Sequence, residues 1–157
     1  MKRRYFGTDG VRGRFGEEPI TPGFATGLGR ALVAVLGGRP VIAIGRDTRA
    51  SGPVLEEALA CGITEAGGDA VLLGVIPTPG VAAFVVEHGL AAGAVISASH
   101  NPASDNGIKF FSGDGFKLSD EDESRIEAML EELAAPVAEQ GRNSPAADAV
   151  GSYVAHA

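Results

Sequence analysis

The feature that most limits how this chain can fold is a recurring alternation. Short, unbroken, β-branched runs are followed by segments with apolar residues at helical spacing, and Gly or Pro stands at the changeovers. An unbroken apolar run suits a parallel strand covered on both faces, and a 3.6-residue period suits a helix buried along one stripe. Strand, loop and helix repeated in that order predict an α/β sandwich. The 23 glycines and 9 prolines are spread between the apolar segments and form no single low-complexity tract, so they punctuate a regular fold.

Thr21-Pro22 can cap and open a first helix with Phe24, Leu28, Leu32, Val35 and Leu36 on one face, and Gly37-Gly38 can stop it. Val41-Ile42-Ala43-Ile44 then reads as a strand ended by Gly45. Ser51 is a candidate N-cap for a second helix, whose buried stripe is Leu55, Ala58, Leu59, Gly62, Ile63 and Ala66. Ala70 to Leu73 is the next strand, and a shorter helix carrying Val81, Phe84 and Val85 ends at Gly89. Gly93 to Ile96 and Ile108 to Phe111 are further strands. Ser119 can cap a last helix, with Asp120 to Glu123 suiting the positive end of its dipole and Ile126, Met129, Leu130 and Leu133 facing inward. Pro136 marks its limit, so residues 1–136 are expected to form one domain and residues 137–157 a polar linker leading toward a second.

A chain of 157 residues, 45% hydrophobic and 21% charged, is long and apolar enough to bury a core without metal or disulfide staples. Its net charge of −7 repels phosphate backbones over most of its surface and argues against nucleic acid as the main partner. No apolar run approaches the roughly 20 residues needed to span a bilayer. Met1-Lys2-Arg3-Arg4-Tyr5 leads into turn residues and not a signal-peptide core, so no membrane association and a cytoplasmic location are expected. Cys61, the single cysteine, stands in an apolar helical stretch and is expected to be a small buried side chain in a reducing compartment. Metal-ligand spacing of Cys and His is absent, and His88 and His156 belong to no ligand-like cluster.

Unusual residues gather where strands end: Gly7 to Gly13, Gly45 to Arg49, Pro77 to Gly80 and Ser97 to Asn106. In open α/β sheets ligands sit outside the carboxyl ends of the strands, where such loops converge. Ser97-Ala98-Ser99-His100-Asn101-Pro102 places serines on a sharp polar loop, as a nucleophile, a phosphate carrier or simply a turn. A hydrolase triad fits poorly, because adjacent Ser99 and His100 point apart on extended backbone and no G-x-S-x-G elbow surrounds them. Phosphoryl transfer fits better, since Lys109 lies nearby to neutralise phosphate or move a proton, although a strand-edge lysine is also an ordinary solvated charge. Thr8, Asp9 and Arg12 stand among glycines that let backbone approach a ligand; Arg12 can clamp a phosphate, or bond loop carbonyls or a carboxylate such as Asp9 or Asp47. Two arginines around an aspartate in Gly45-Arg46-Asp47-Thr48-Arg49 more often build a structural ion-pair network than a reaction centre.

Taken together and in order, Phe6-Gly7-Thr8-Asp9-Gly10-Val11-Arg12-Gly13, Gly45-Arg46-Asp47-Thr48-Arg49, Pro77-Thr78-Pro79-Gly80, Ser97 to Pro102 and Asn106-Gly107-Ile108-Lys109-Phe110-Phe111 resemble the α-D-phosphohexomutase superfamily. The resemblance covers residues 6–111, and the run Gly7-Thr8-Asp9-Gly10-Val11-Arg12-Gly13 is most similar to its phosphoglucosamine mutase branch. It implies the first domain of such an enzyme: a three-layer sandwich with a mixed, mainly parallel sheet between helices. It implies that Ser99 carries the transferable phosphoryl group, which spacing alone does not distinguish from a role for Ser97. It further implies proton-transfer or charge-neutralising roles for His100 and Lys109, phosphate contact for Arg12, and a place in the phosphate region for Thr8, Asp9, Asn101 and Asn106.

Other consequences follow from the same resemblance. One Mg²⁺ is implied, bound to a Ser99 phosphate oxygen and to aspartates of another domain. The implied reaction interconverts glucosamine 6-phosphate and glucosamine 1-phosphate through a bound bisphosphate, feeding UDP-N-acetylglucosamine synthesis. Its partners are a hexosamine phosphate and the remaining domains of a longer chain, and the fragment alone is expected to be inactive. The competing readings are a phosphoglucomutase or phosphomannomutase first domain, and a non-catalytic α/β binding module that kept the loops.

Overall fold

The computed structural model describes residues 5–132 and 143–144. Its sheet has the order β1-β5-β4-β2-β3-β6, with β1 Val11–Arg14, β2 Val41–Arg46, β3 Asp69–Val75, β4 Ala92–Ile96, β5 Asp105–Ser112 and β6 Asn143–Ser144. β4, β2, β3 and the two-residue β6 run parallel, whereas β5 is antiparallel to β4 and β1 antiparallel to β5. The four helices are α1 Pro22–Leu36, α2 Gly52–Glu65, α3 Thr78–His88 and α4 Asp120–Glu132.

Alternation along the strands divides the core in two. Ile42 and Ile44 of β2 face Leu28 and Leu32 of α1, Leu55, Leu59 and Ile63 of α2 and Ile126 of α4. Ala43 between them faces the opposite layer, where Val81, Phe84 and Val85 of α3 meet Leu73, Val95 and Phe111. The mixed sheet thus lies between α1, α2 and α4 on one side and α3 on the other. Each fully buried Leu or Ile adds on the order of 1.5–3 kcal/mol, which is why these stripes fix the layers.

Local chemistry explains several helix ends. Thr21 Oγ1 accepts from the Phe24 amide at 3.1 Å and Ser119 Oγ from the Asp122 amide at 3.1 Å, each satisfying a first-turn donor. Gly89 closes α3 in the left-handed region at φ 64°. Ser51 occupies the N-cap position of α2 but makes no side-chain cap bond; its hydroxyl instead accepts from Nδ2 of the buried Asn106 at 2.7 Å. A buried amide needs a partner more than an exposed helix end does.

Three other sequence expectations change. β2 continues past Gly45 to Arg46, with a register shift against β3 between Ile44 and Gly45; a side chain at 45 would collide with Ile76 and Val81. Val11–Arg14, read as part of a glycine-rich loop, is strand β1. Cys61 is half-buried and not enclosed: its thiol donates to Glu65 Oε2 at 3.3 Å, and burial followed by that carboxylate raises its pKa, which disfavours the reactive thiolate. Within the expected linker 137–157, Asn143–Ser144 pair with Ala70 and Val71 of β3; the rest of that segment, with Leu133 and Pro136, lies outside the described residues. Among the described residues no helix is long and apolar enough to cross a membrane.

Candidate active site

The carboxyl ends of β2 and β4 and the start of β5 converge on one loop. β4 ends at Ile96, the Ser97 amide donates to the Gly107 carbonyl at 2.9 Å, and the Asp47 amide donates to the Ile96 carbonyl at 3.1 Å. The chain between Ser97 and Asn106 is therefore a short excursion whose two ends are pinned to one ladder. At its tip Ser99 has φ 55°, the only described non-glycine residue with positive φ. Such backbone is uncommon for a residue with a β-carbon and persists only where its surroundings hold it.

Ser99 is held from two sides. Its amide donates to Ser97 Oγ at 3.1 Å, and its carbonyl accepts from Arg49 Nη2 at 2.8 Å. The loop adds its own turns, Asn101 N to the Ala98 carbonyl at 3.0 Å and Asp105 N to the Pro102 carbonyl at 2.9 Å. Asn101 Nδ2 also donates to Asp105 Oδ2 at 3.2 Å. The side chain of Ser99 remains exposed beside a cleft of about 420 Å³.

Asp9, Arg12, Ser97, Ser99, His100, Asn101 and Lys109 line that cleft, together with Thr78 and Val95. Arg12 comes from β1 and Lys109 from β5, so antiparallel pairing brings two cations nearly a hundred residues apart to one wall. Lys109 Nζ lies 4.0 Å from Asp9 Oδ1 and 5.5 Å from the centre of the Phe111 ring. Arg12 Nε is buried and has no hydrogen-bond partner among the described residues. Asp9 and Asp47, its candidate carboxylate partners from sequence, face Lys109 and Arg49 instead. A buried donor without a partner, beside an open cleft, is suited to an anion. Thr78, the first residue of the 11-residue helix α3, brings the positive end of that helix to the same cleft.

Six of the eight candidate residues therefore share one cleft, and two do not. Thr8 is exposed in the turn closed by the Gly7 amide on the Gly10 carbonyl, and it does not line the cleft. Asn106 is fully buried: Nδ2 reaches Ser51 and Oδ1 accepts from the Gly107 amide at 2.9 Å, so it joins β5 to the start of α2. Of the other residues at the site, Ser97 reads from the sequence as an alternative to Ser99 and Arg49 as part of a structural ion-pair network, whereas Thr78 has no role assigned from the sequence. Thr78 had a signal in the Pro77-Thr78-Pro79-Gly80 run, whereas the partners of Arg49 lie some fifty residues away.

The chemistry of the cleft favours a phosphoryl group. It presents two cations, two serine hydroxyls, an exposed imidazole and a helix start against a single carboxylate, Asp9. The same donor set does not by itself fit a magnesium ion, which prefers six oxygens in octahedral array. No group of three or more His, Cys, Asp or Glu residues among the described residues is placed to hold a metal.

Comparison with known proteins places these features in context. The family described as phosphoglucomutase/phosphomannomutase, alpha/beta/alpha domain I, matches residues 3–136. A protein of Cupriavidus pinatubonensis named phosphoglucosamine mutase is 54% identical over 98% of this chain and 36% of its own length. Among solved structures, a putative phosphomannomutase from Thermus thermophilus superposes with a TM-score of 0.79 at 32% identity, over 91% of this chain and 32% of that one. A phosphoglucomutase/phosphomannomutase family protein from Burkholderia thailandensis gives 0.76 at 27% identity, over 89% and 32%. The chain thus spans about a third of the length of the relatives it matches.

Proposed function

The chain belongs to the phosphoglucomutase/phosphomannomutase family, whose domain I it carries, and from that premise we propose that Ser99 is the carrier of a phosphoryl group exchanged with a sugar phosphate. The observation that carries this reading is the left-handed Ser99, pinned at φ 55° with its hydroxyl at the mouth of a cleft walled by Arg12 and Lys109. The substrate class proposed is a hexosamine phosphate, supported by the 54% identity to a protein named phosphoglucosamine mutase. Turnover is a property of a longer enzyme containing this domain; residues 1–136 are the phosphoserine domain, and the isolated chain folds without catalysing the full reaction.

In the first transfer the 1-hydroxyl oxygen of glucosamine 6-phosphate attacks the phosphorus on Ser99. The new O–P bond forms as the bond to Oγ breaks, and the hydroxyl proton passes to a base while Oγ gains one. The bisphosphate turns within the cleft, Oγ gives its proton to a base as it attacks the phosphorus at position 6, and the bond to the 6-oxygen breaks as that oxygen gains a proton. Phosphoserine is restored and glucosamine 1-phosphate is released. Arg12 and Lys109 neutralise charge on the moving group, and His100, exposed beside Ser99, handles the proton. Asp9 orients Lys109, and Asn101 ties the loop to Asp105.

Magnesium would be held through a phosphate oxygen on Ser99, with its remaining ligands from chain beyond this domain. Its chemistry, when bound, is to offset charge on the phosphoryl group. The test is direct: mass spectrometry of the active full-length enzyme is expected to find phosphate on Ser99, and Ser99→Ala to abolish interconversion of the two glucosamine phosphates. Normal turnover by Ser99→Ala would refute the proposal. Assays with glucosamine, glucose and mannose phosphates separate the hexosamine reading from a phosphomannomutase one, which the 32% identity to the Thermus protein keeps in view.

A further inference from the structure

We propose that Arg49 is a positioning residue for the phosphoryl-bearing serine: it holds the Ser99 loop in its left-handed form and engages four backbone carbonyls. This inference rests on the reading of Ser99 as the carrier. A guanidinium has five N–H donors in a rigid planar fork. In this structure five acceptors meet them. Nε donates to Asp47 Oδ2 at 3.1 Å, Nη1 to the carbonyls of Pro102 at 2.7 Å and Asp105 at 3.3 Å, and Nη2 to those of Ser99 at 2.8 Å and Asn101 at 3.1 Å.

The ion pair expected from the Arg-Asp-Thr-Arg spacing exists, but it is only one of the five bonds and serves to aim the other four. Asp47 Oδ1 also accepts from the Arg49 amide at 3.0 Å, so the carboxylate fixes the arginine at both backbone and side chain. The Arg49 side chain is only 11% exposed, so its charge is met by the Asp47 carboxylate and by peptide dipoles more than by water. The four carbonyls bond a cation that is not among the residues lining the cleft, so their negative ends are engaged there and not offered to an anion at Ser99. Without the cation, the left-handed backbone at Ser99 loses its main restraint, and those carbonyls are free to turn toward an anion they repel.

Lysine cannot replace this arrangement. Its ammonium carries three donors and no fork, so at least two of the five acceptors lose their partner. Arg49 bonds the Ser99 carbonyl and is not among the residues lining the cleft, and removing it is expected to act on the chemical step through misplacement of Ser99.

The test uses Arg49→Ala, Arg49→Lys and Ser99→Ala. In a full-length enzyme carrying this domain, Arg49→Ala is expected to lower kcat by about a hundredfold with KM changed by less than about threefold. Added guanidinium is expected to recover part of that loss in Arg49→Ala and none in Ser99→Ala. In the 157-residue chain, amide hydrogen exchange at Asn101 and Asp105 is expected to quicken by about tenfold or more in both Arg49 variants, while Ala94 to Ile96 of β4 keep their protection.

Unchanged kcat in Arg49→Ala beside an inactive Ser99→Ala would overturn the positioning role and leave the carrier reading standing. Unchanged exchange at both loop amides would overturn it as well. Should Arg49→Ala fail to fold, Arg49→Lys carries the same comparison, and wild-type kcat in that variant refutes the fork argument. Full turnover by Ser99→Ala would instead sink the carrier reading, and the positioning role that rests on it would fall too.

Discussion

Arg12 stands directly opposite Gly107 across the β1/β5 ladder, and its side chain lies over the space that a side chain at 107 would fill. A β-carbon on Gly107 would come within 2.9 Å of Arg12 Cγ and 2.8 Å of the carbonyl oxygens of Ser97 and Val11. The absent side chain is thus what lets the arginine stem cross β5 toward the cleft. Gly107→Ala is expected to destabilise the chain by about 1–3 kcal/mol, the usual cost of overpacking. It is also expected to displace Arg12 and Ser97 together. Urea unfolding of the isolated chain measures the first effect, and kcat of a full-length enzyme the second; an alanine variant of wild-type stability would contradict the geometry.

Lys109 should matter to chemistry and little to folding. It is half-buried, its nearest carboxylate is 4.0 Å away on a short glycine-rich turn, and its stem lies beside Phe111. Methionine keeps the stem and removes the charge. Lys109→Met is expected to lower kcat of the full-length enzyme by about 10²–10³-fold, as for loss of one preorganised charge-stabilising donor, with the unfolding midpoint nearly unchanged. Steady-state kinetics and a urea titration of the same variant check both halves.

How much of this was readable beforehand depended on the distance over which each residue finds its partners. α1, α3 and α4 were legible because their stripes and stops are local: Leu28 and Leu32 lie one turn apart, and Gly89 is the next residue after α3. β1 was not legible, since Val11-Arg12-Gly13-Arg14 carries neither alternation nor a β-branched run and becomes a strand only by pairing with residues 105–108. Asn106 sat within the loop motif, yet its amide is turned inward to Ser51, a partner 55 residues away. The cleft itself was legible as a set of strand-end loops because parallel strands deliver their carboxyl ends to one side. The four carbonyls around Arg49 were not, because backbone atoms leave no mark in a sequence.

Gly62 and Gly29 identify the tightest crossing in the fold. A β-carbon on Gly62 would collide with the carbonyl of Thr26 in α1, and one on Gly29 would lie 2.5 Å from the Leu59 carbonyl in α2. The two helices approach closely enough for Thr26 Oγ1 to donate to the Ala58 carbonyl at 3.0 Å. Both obstacles are backbone, which cannot step aside as a side chain end can. Gly62→Ala is expected to cost about 3 kcal/mol or slightly more, at the upper end for overpacking, despite alanine's better helix propensity. A neutral or stabilising result in equilibrium unfolding would show that α1 and α2 can separate freely.

The Arg30–Glu65 pair, which joins the same two helices, gives the fold an acid-sensitive clasp. Arg30 Nε and Nη2 donate to Glu65 Oε1 at 2.8 and 2.5 Å. The hydrogen bond to Arg30 is the largest cause holding the Glu65 carboxyl below its ordinary value of 4.5, followed by burial, which opposes it, and the bond from Cys61. A lowered pKa means that the folded chain binds fewer protons than the unfolded one across the interval between the two values. Stability from this pair is therefore complete above the unfolded value and drains away as pH falls through the folded one. Glu65→Gln keeps the size of the side chain and removes the titration. Wild type is expected to lose stability more steeply than Glu65→Gln as pH is lowered from about 5 to about 3, with the two curves offset most at neutral pH and converging in acid. Urea midpoints taken across that range make the comparison; parallel curves would mean that the clasp contributes nothing that depends on its charge.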